Sequence, residues 1–301
     1  MRNLNKTIIG STKKIIKMNY QNIDINLWTQ VGEGGVGKTY VHPDNADILL
    51  KVNRASMSDE ATVKREVEVS QHVFGLGLST PRMYDIVRVG DAYGYTFERI
   101  KGKQSLSRIC ADNPSRIGEM AALLASEGKK LHATTCDTTY FPSHKEVALK
   151  AISAADFADA ADRQKLLAFV EGLDEAPTCL HGDYQTGNMI VSGEGKPYWI
   201  DLGWFSHGTP LFDLGHLYLI TQVYSQFQRM CDIIHMNREQ LLAFWDAFAE
   251  AYSGSADHAA FDAEAAKFAP IDVCYISYQD PRPEANQMFG HVVHTMVEKY
   301  Y

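Results

Sequence analysis

The stretch His181-Gly-Asp183-Tyr-Gln-Thr-Gly-Asn188-Met-Ile-Val191, followed by Trp199-Ile-Asp201-Leu-Gly203, decides how the rest of the chain is read. Two short β-prone runs, at 189–191 and 198–200, flank a Gly193-Glu-Gly195 turn, which is the signature of a hairpin. A hairpin brings Asp201 back beside Asn188. Moving a phosphoryl group through a loose transition state needs a group that accepts the proton of the attacking hydroxyl. It also needs oxygen ligands for Mg2+ against the nucleotide phosphates. Asp183 suits the first role as the catalytic residue, and Asn188 and Asp201 suit the second as metal ligands. His181 suits a supporting role, orienting the loop through hydrogen bonds. Asp and Asn also close turns that carry no chemistry, so the assignment rests on what lies upstream.

Upstream, Gly32-Glu-Gly34-Gly35-Val-Gly37-Lys38-Thr39 fits two phosphate-binding patterns at once, GxGxxG and GxxxxGK[ST]. In both, residues without Cβ let backbone N–H groups approach phosphate oxygens. The second pattern belongs between a buried strand and a helix. Here Pro43 and the Asp44-Asn45 turn follow within a few residues, and the chain returns as a strand. A hairpin flap over phosphates, with Gly32, Gly34, Gly35 and Gly37 as cofactor-binding positions, is therefore expected. A P-loop NTPase using residues 32–39 and a purely structural hairpin are the alternatives.

A flap of this kind predicts a Lys on the third strand and an acidic partner on the next helix. Lys51 in ILLKV and Glu66 in VKREVEV fit, with Glu68 as the rival partner. Strands at MYDIVRV and YGYTFERI, joined at Gly90-Asp91, complete a five-stranded antiparallel sheet with one helix, in which Val63, Val67, Val73 and Phe74 are the apolar positions. Beyond Lys101-Gly102 the composition turns helical. Helices are expected over PSRIGEMAALLASEGKKLHA, ADRQKLLAFVEGL, REQLLAFWDAFAEAYS and EANQMFGHVVHTMVEKYY. The fold class is thus α+β, a small sheet lobe joined to a larger, mainly helical lobe. Residues 1–17 read as a disordered extension, 18–100 as a nucleotide-binding lobe, and 101–301 as a helical lobe with the catalytic loop and acceptor site.

The chain has 301 residues and a formal charge of −8, of which residues 202–301 carry −7, from 5 basic and 12 acidic groups. That balance argues against nucleic acid as partner. Five scattered cysteines without a CxxC pair fit a reducing compartment, and no apolar run reaches the roughly 18–20 residues of a membrane span. A cytoplasmic protein with no membrane partner, monomeric or homodimeric, is expected. His291 and His294 share one helical face, but no third ligand is apparent near them, and no zinc is assigned.

With the flap, Lys51, Arg65-Glu66, the ERIKG segment, Leu131-His132, HGDYQTGN, WIDLG and Gly208-Thr-Pro-Leu-Phe-Asp213-Leu in order, residues 19–218 resemble the aminoglycoside phosphotransferase and choline kinase-like group of the protein-kinase-like fold. The resemblance implies that Phe97, Glu98 and Ile100 belong to the hinge whose backbone binds adenine, and that Asp213 braces the catalytic loop. It also implies acceptors such as aminoglycosides, choline or amino-sugar derivatives. HGD stands where protein kinases have HRD, and only eleven residues separate Asp201 from Asp213, too few for a peptide-docking activation segment.

The resulting expectation is an ATP- or GTP-dependent, Mg2+-requiring phosphotransferase acting on a small-molecule hydroxyl. Asp246, Glu250, Asp257, Asp262, Glu264, Asp272, Asp280 and Glu284, with Trp204, Trp245, Tyr275 and Tyr278, are candidates for lining a pocket for a cationic acceptor. Solvated helix faces and core aromatics are the plain alternative for the same residues. A protein serine/threonine kinase and a non-catalytic nucleotide-binding module are the remaining alternatives.

Overall fold

The computed structural model describes residues 20–33, 37–54 and 58–301. The proposed extension at 1–17, and Gly34 and Gly35 of the flap, lie outside the described residues. The sheet lobe contains β1 (Gln21–Asn22), β2 (Thr29–Glu33), β3 (Gly37–Val41), β4 (Ile48–Asn53), helix α1 (Glu60–Gly75), β5 (Met83–Val89) and β6 (Ala92–Glu98). Strand order is β1-β5-β6-β4-β3-β2, so the sheet has six strands and not five. The added strand is a two-residue parallel pairing of Gln21 and Asn22 with Val87 and Arg88. It is too short to show any alternation in sequence.

Period-2 alternation along β4 sorts its side chains. Leu50 and Val52 pack with Trp28 and Val87 on one face, which leaves Lys51 on the face covered by α1. Val63 and Val67 of α1 pack there with Tyr95, the register partner of Lys51 on β6. Asp59 starts α1 by accepting from Thr62 N at 3.0 Å, a side-chain cap for an otherwise orphaned amide. Phe74, expected on the apolar stripe, is 46% exposed. One residue past Val73, it is rotated about 100° off that stripe.

The second lobe runs through β7 (Gln104–Ser105), α2 (Leu106–Asp112), α3 (Ile117–Ala133), α4 (His144–Ala154), α5 (Ala160–Glu171), β8 (Cys179–Leu180), β9 (Met189–Val191), β10 (Pro197–Trp199) and β11 (Ser206–His207). It ends in α6 (Leu211–Tyr218), α7 (Gln228–Ile234), α8 (Arg238–Ser253), α9 (Ala259–Gln279) and α10 (Asn286–Tyr300). Met120, Leu124 and Leu131 of α3 meet Phe244 and Phe248 of α8 in the main core. Each such side chain contributes about 1.5–3 kcal/mol on burial. A second core joins α4, α5, α9 and α10 around Phe268 and Val293. No helix among the described residues is long and apolar enough to cross a membrane.

Two small sheets carry the loops between these cores. β9 pairs with β10 and β7, and β8 pairs with β11. The lobes meet where Trp199 N donates to Ser79 O at 2.7 Å and Ser79 Oγ donates to Pro197 O at 2.6 Å.

Candidate active site

β2 and β3 pair antiparallel on either side of Gly34 and Gly35, with Glu33 opposite Lys38. Lys38 sits on a strand 3.9 Å from Glu33, not at a helix N-terminus, which removes the geometry a P-loop requires. Gly37 is needed for packing: a Cβ there would lie 2.3 Å from the Val52 carbonyl oxygen. Gly32 has ordinary room for a side chain, so sterics within the protein do not demand glycine at that position.

Lys51 Nζ lies 2.7 Å from Glu66 Oε1. Tyr95 OH donates to the same oxygen at 2.6 Å, and Asn53 Nδ2 donates to Oε2 at 3.0 Å. Burial pushes the Glu66 carboxyl up, but the Lys51 charge and these donors more than reverse it and hold it below the usual range. Glu68, the rival, pairs with Lys64 at 3.6 Å on the solvent side of α1. At the end of β6, Glu98 N donates to Arg82 O, and Phe97 is paired with Leu49 and Met83. Ile100 packs beneath with Ile190 and Tyr198. Its own amide has no hydrogen-bond partner among the described residues.

The catalytic island is held from several sides. Asp213 at the start of α6 accepts from His181 N at 2.8 Å and Gly182 N at 2.9 Å, and His132 Nε2 of α3 lies 3.1 Å from it. His181 donates from Nε2 to the Ile200 carbonyl at 3.0 Å and accepts the Asp183 N–H at Nδ1. Those partners fix the tautomer, since a carbonyl only accepts and a backbone amide only donates. Gly182 has φ +80, and a Cβ would fall 2.1 Å from Trp204 O. The glycine of HGD is therefore imposed by the backbone path. Tyr184 OH donates to Leu124 O at 2.9 Å, pinning the loop to α3.

Asn188 Nδ2 donates to Asp183 Oδ2 at 2.6 Å and to its carbonyl at 2.9 Å. Gln185 Nε2 donates to Asp183 Oδ1 at 2.9 Å. Sequence reasoning missed the remaining contact. His216 Nε2 of α6 lies 2.9 Å from Asp183 Oδ1, and its Nδ1 lies 2.9 Å from Asp272 Oδ2 of α9. These are charge contacts and not aligned hydrogen bonds, because neither ring N–H points squarely at its carboxylate. His216 and Asp272 are both almost fully buried. Burial alone would lower the His216 pKa, yet the two carboxylates raise it well above the ordinary imidazole range, so the ring is an imidazolium. Burial likewise pushes Asp183 up, and the His216 contact outweighs it, bringing the carboxyl down to about 2.

Asp201 stands differently. It follows β10 in the left-handed region at φ 60, ψ 56, a conformation that costs a non-glycine residue of order 1 kcal/mol. Ile200 N donates to Asn188 O at 3.0 Å, which places Asp201 beside Asn188 at the open end of the β9–β10 hairpin. Its carboxyl is pushed up by desolvation among the surrounding groups and by the Asp183 charge, with Lys51 opposing, while the side chain stays open to solvent. Among the described residues, neither this carboxylate nor Asn188 Oδ1 has a hydrogen-bond partner. Two adjacent oxygen donors without partners, one in a repulsive anionic field, suit Mg2+.

Beside Asp183 opens a cavity of about 360 Å³, whose walls come from the α6–α7 segment, the end of α9 and the start of α10. Of the acidic residues proposed to face an acceptor, only Asp280 and Glu284 line it, while Asp272 lies behind His216. Of the aromatics proposed, only Trp204 lines it; Trp245 and Tyr275 are core residues. A larger cleft of about 720 Å³ next to Pro142 and His207 holds none of the predicted site residues. His294 does gain third-ligand neighbours, contrary to expectation, but without His291: Asp162 at 2.8 Å and Asp159 at 4.0 Å. Cys179 is fully buried.

The sequence profile of the phosphotransferase enzyme family matches residues 28–263. Searched against curated protein sequences, the chain has no match. Solved structures share its fold at low identity. A thermostable mutant of aminoglycoside phosphotransferase APH(4)-Ia, in ternary complex with ADP and hygromycin B, superimposes with a TM-score of 0.60 at 14% identity, covering 90% of this chain and 93% of that one. Choline kinase LicA from Streptococcus pneumoniae gives 0.54 at 15%, covering 91% and 93%. Aminoglycoside 2'-phosphotransferase-IIIa in its GDP complex gives 0.56 at 13%, covering 95% of each chain. With a fold of two such lobes and a profile match across most of its length, this chain belongs to the phosphotransferase enzyme family.

Proposed function

We propose that the protein transfers the γ-phosphoryl group of a Mg2+-bound nucleoside triphosphate, ATP or GTP, to a hydroxyl of a small molecule. The observation that carries this reading is Asp183, gripped by Asn188, Gln185 and His216 at the edge of a cavity, with the partnerless Asp201 beside it and the Lys51–Glu66 pair across the cleft. The acceptor oxygen attacks the γ-phosphorus, the bond from that phosphorus to the β–γ bridging oxygen breaks, the nucleoside diphosphate leaves, and the hydroxyl proton ends on Asp183. A carboxylate with a pKa near 2 is a weak base. Its main work is to orient the hydroxyl and take the proton late, as a loose transition state requires.

Asn188 Oδ1 and Asp201 are the ligands for Mg2+, which when bound neutralises charge on the phosphates. Lys51, set by Glu66, contacts the α- and β-phosphates, and the 32–37 hairpin covers them. The backbone of Phe97, Glu98 and Ile100 takes the base, with the unclaimed Ile100 amide as its donor. His181 and Asp213 hold the loop. The nucleotide complexes of the two aminoglycoside enzymes are in keeping with this division of the cleft. Residues 201–213 run as a tight turn, β11 and the start of α6, which leaves no peptide-docking segment and disfavours a protein acceptor. A cytoplasmic monomer or homodimer fits this activity.

Calorimetric titration of Mg-ATP and Mg-GTP, followed by diphosphate release over a panel of hydroxyl compounds, tests the proposal. Asp183→Asn should lower turnover by about 10²–10⁴-fold with nucleotide affinity nearly unchanged. Full turnover in that variant, or absence of Mg-nucleotide binding in the parent, would end it.

A further inference from the structure

The 360 Å³ cavity has a composition that restricts its occupant. Away from Asp183 and His216, most of the surface is apolar: Ile220, Phe227, Met230, Ile233, Met288 and Phe289. Ile233 on α7 is 51% exposed, one of five large apolar side chains so exposed among the described residues. It sits at a cavity beside a catalytic carboxylate, where an apolar ligand would cover it. Among the lining residues the formal charges balance: Arg282 pairs with Asp280 through Nε at 2.9 Å, His216 pairs with Asp183, and Arg229 and Glu284 supply one charge of each sign; Asp272, behind His216, adds one buried carboxylate that shares the same ring. Of the other acidic residues in the last hundred, Asp262 serves Trp245 and His258 and does not line the cavity. One polar atom stands out. Tyr224 lines the cavity, and its buried hydroxyl has no hydrogen-bond partner among the described residues. Such a group costs about 1–3 kcal/mol when left unmatched.

We propose that the acceptor is an uncharged alcohol with an apolar body, which offers its hydroxyl to Asp183 and a second polar atom to the Tyr224 hydroxyl. This rests on the phosphotransfer reading for the fate of the hydroxyl, but not for the binding itself. A polycationic sugar finds at most one carboxylate in excess here, shielded behind His216, and meets Arg229 and Arg282. A quaternary ammonium finds the Trp204 and Phe227 faces, yet covers little of the aliphatic wall.

Fluorescence titration of the full chain with 6-(2-hydroxyethyl)-2-naphthol, a neutral aryl alcohol with a second hydroxyl on its ring, in competition with choline and with kanamycin, tests the assignment. The expected result is saturable binding that neither cation displaces. Ile233→Asp, at an exposed position that the fold tolerates, should weaken the probe at least tenfold, and Ile233→Leu should leave it within twofold, with Mg-ATP affinity unchanged in both. Displacement by choline or kanamycin, no saturation at millimolar probe, or an indifferent Ile233→Asp would each overturn the proposal. Probe binding without any Mg-nucleotide binding would instead break the phosphotransfer reading and leave the pocket assignment standing.

Discussion

Asp183 and Asp201 face one cleft from opposite electrostatic states. Asp183 accepts from Asn188 and Gln185 and lies 2.9 Å from the His216 ring, whose charge holds its carboxyl down to about 2. Asp201, on a strained backbone, has no hydrogen-bond partner among the described residues, and its carboxyl is pushed up from its ordinary value by desolvation and by Asp183 itself. The protein fixes the position of the first and leaves the second unneutralised. A carboxylate already gripped by its own fold acts by geometry; one left in a repulsive field acts by what it attracts. The same division runs through the cavities, with polar, unmatched oxygens on one side and an apolar, charge-balanced wall on the other.

The largest test of this contrast is the exchange of effects between the two residues. Asp183→Asn should lower turnover by about 10²–10⁴-fold and spare nucleotide affinity. Next comes His216→Asn, which removes the imidazolium and strands Asp272, at a cost in folding stability of about 3–5 kcal/mol. Adding Asp272→Asn should recover most of that loss. In the doubly substituted enzyme the Asp183 pKa rises towards its ordinary value, so the acid limb of kcat moves upward from about 2 and activity falls on acidification where the parent holds. A pH–rate profile with an unmoved acid limb would refute the role given to His216. The signs in the parent follow from linkage. The Asp183 pKa is depressed, so its stabilisation is present above the ordinary carboxylate pKa and lost as pH falls through about 2. The His216 pKa is raised, so its contribution is full below the ordinary imidazole pKa and lost as pH rises through the folded value.

Asp201→Asn should weaken Mg-nucleotide binding about tenfold, or about 1.4 kcal/mol, while raising Tm of the metal-free protein by about 1–3 °C. Asn tolerates the left-handed conformation of this solvent-exposed position well, so the gain in the metal-free protein comes from the backbone. Calorimetry with and without Mg2+ separates the two effects. The smallest contrast lies among the lysines. Lys51→Ala should weaken Mg-ATP by tenfold or more, whereas Lys38→Ala, whose partner Glu33 is solvent-exposed, should stay within threefold. The reverse order would restore the P-loop reading.

What was legible in the sequence was local. HGDYQTGN and WIDLG place their groups through a hairpin that two turn glycines announce. Lys51 follows from strand alternation once the flap is located. The choice of Glu66 over Glu68 needed the helix to be docked, since both lie on one charged segment. His216 was within reach, three residues after Asp213 in DLGH and so on the same helical face. Its partners, however, come from a loop 33 residues upstream and a helix 56 residues downstream. Asp272 was obscured for a second reason: α9 contains Pro270, a residue that argues against a helix interior, so a 21-residue helix did not stand out. The acidic count of the last hundred residues was correct arithmetic, but charge totals carry no direction. Most of those carboxylates face other side chains or solvent and not the cavity.

The Tyr184 hydroxyl, bonded to the Leu124 carbonyl across the main core, ties the loop bearing Asp183 to α3, and the His181 and Gly182 amides of that loop are locked onto the buried Asp213. Solvent should reach those amides only when the helical lobe comes apart, so the position of Asp183 is as durable as the lobe itself.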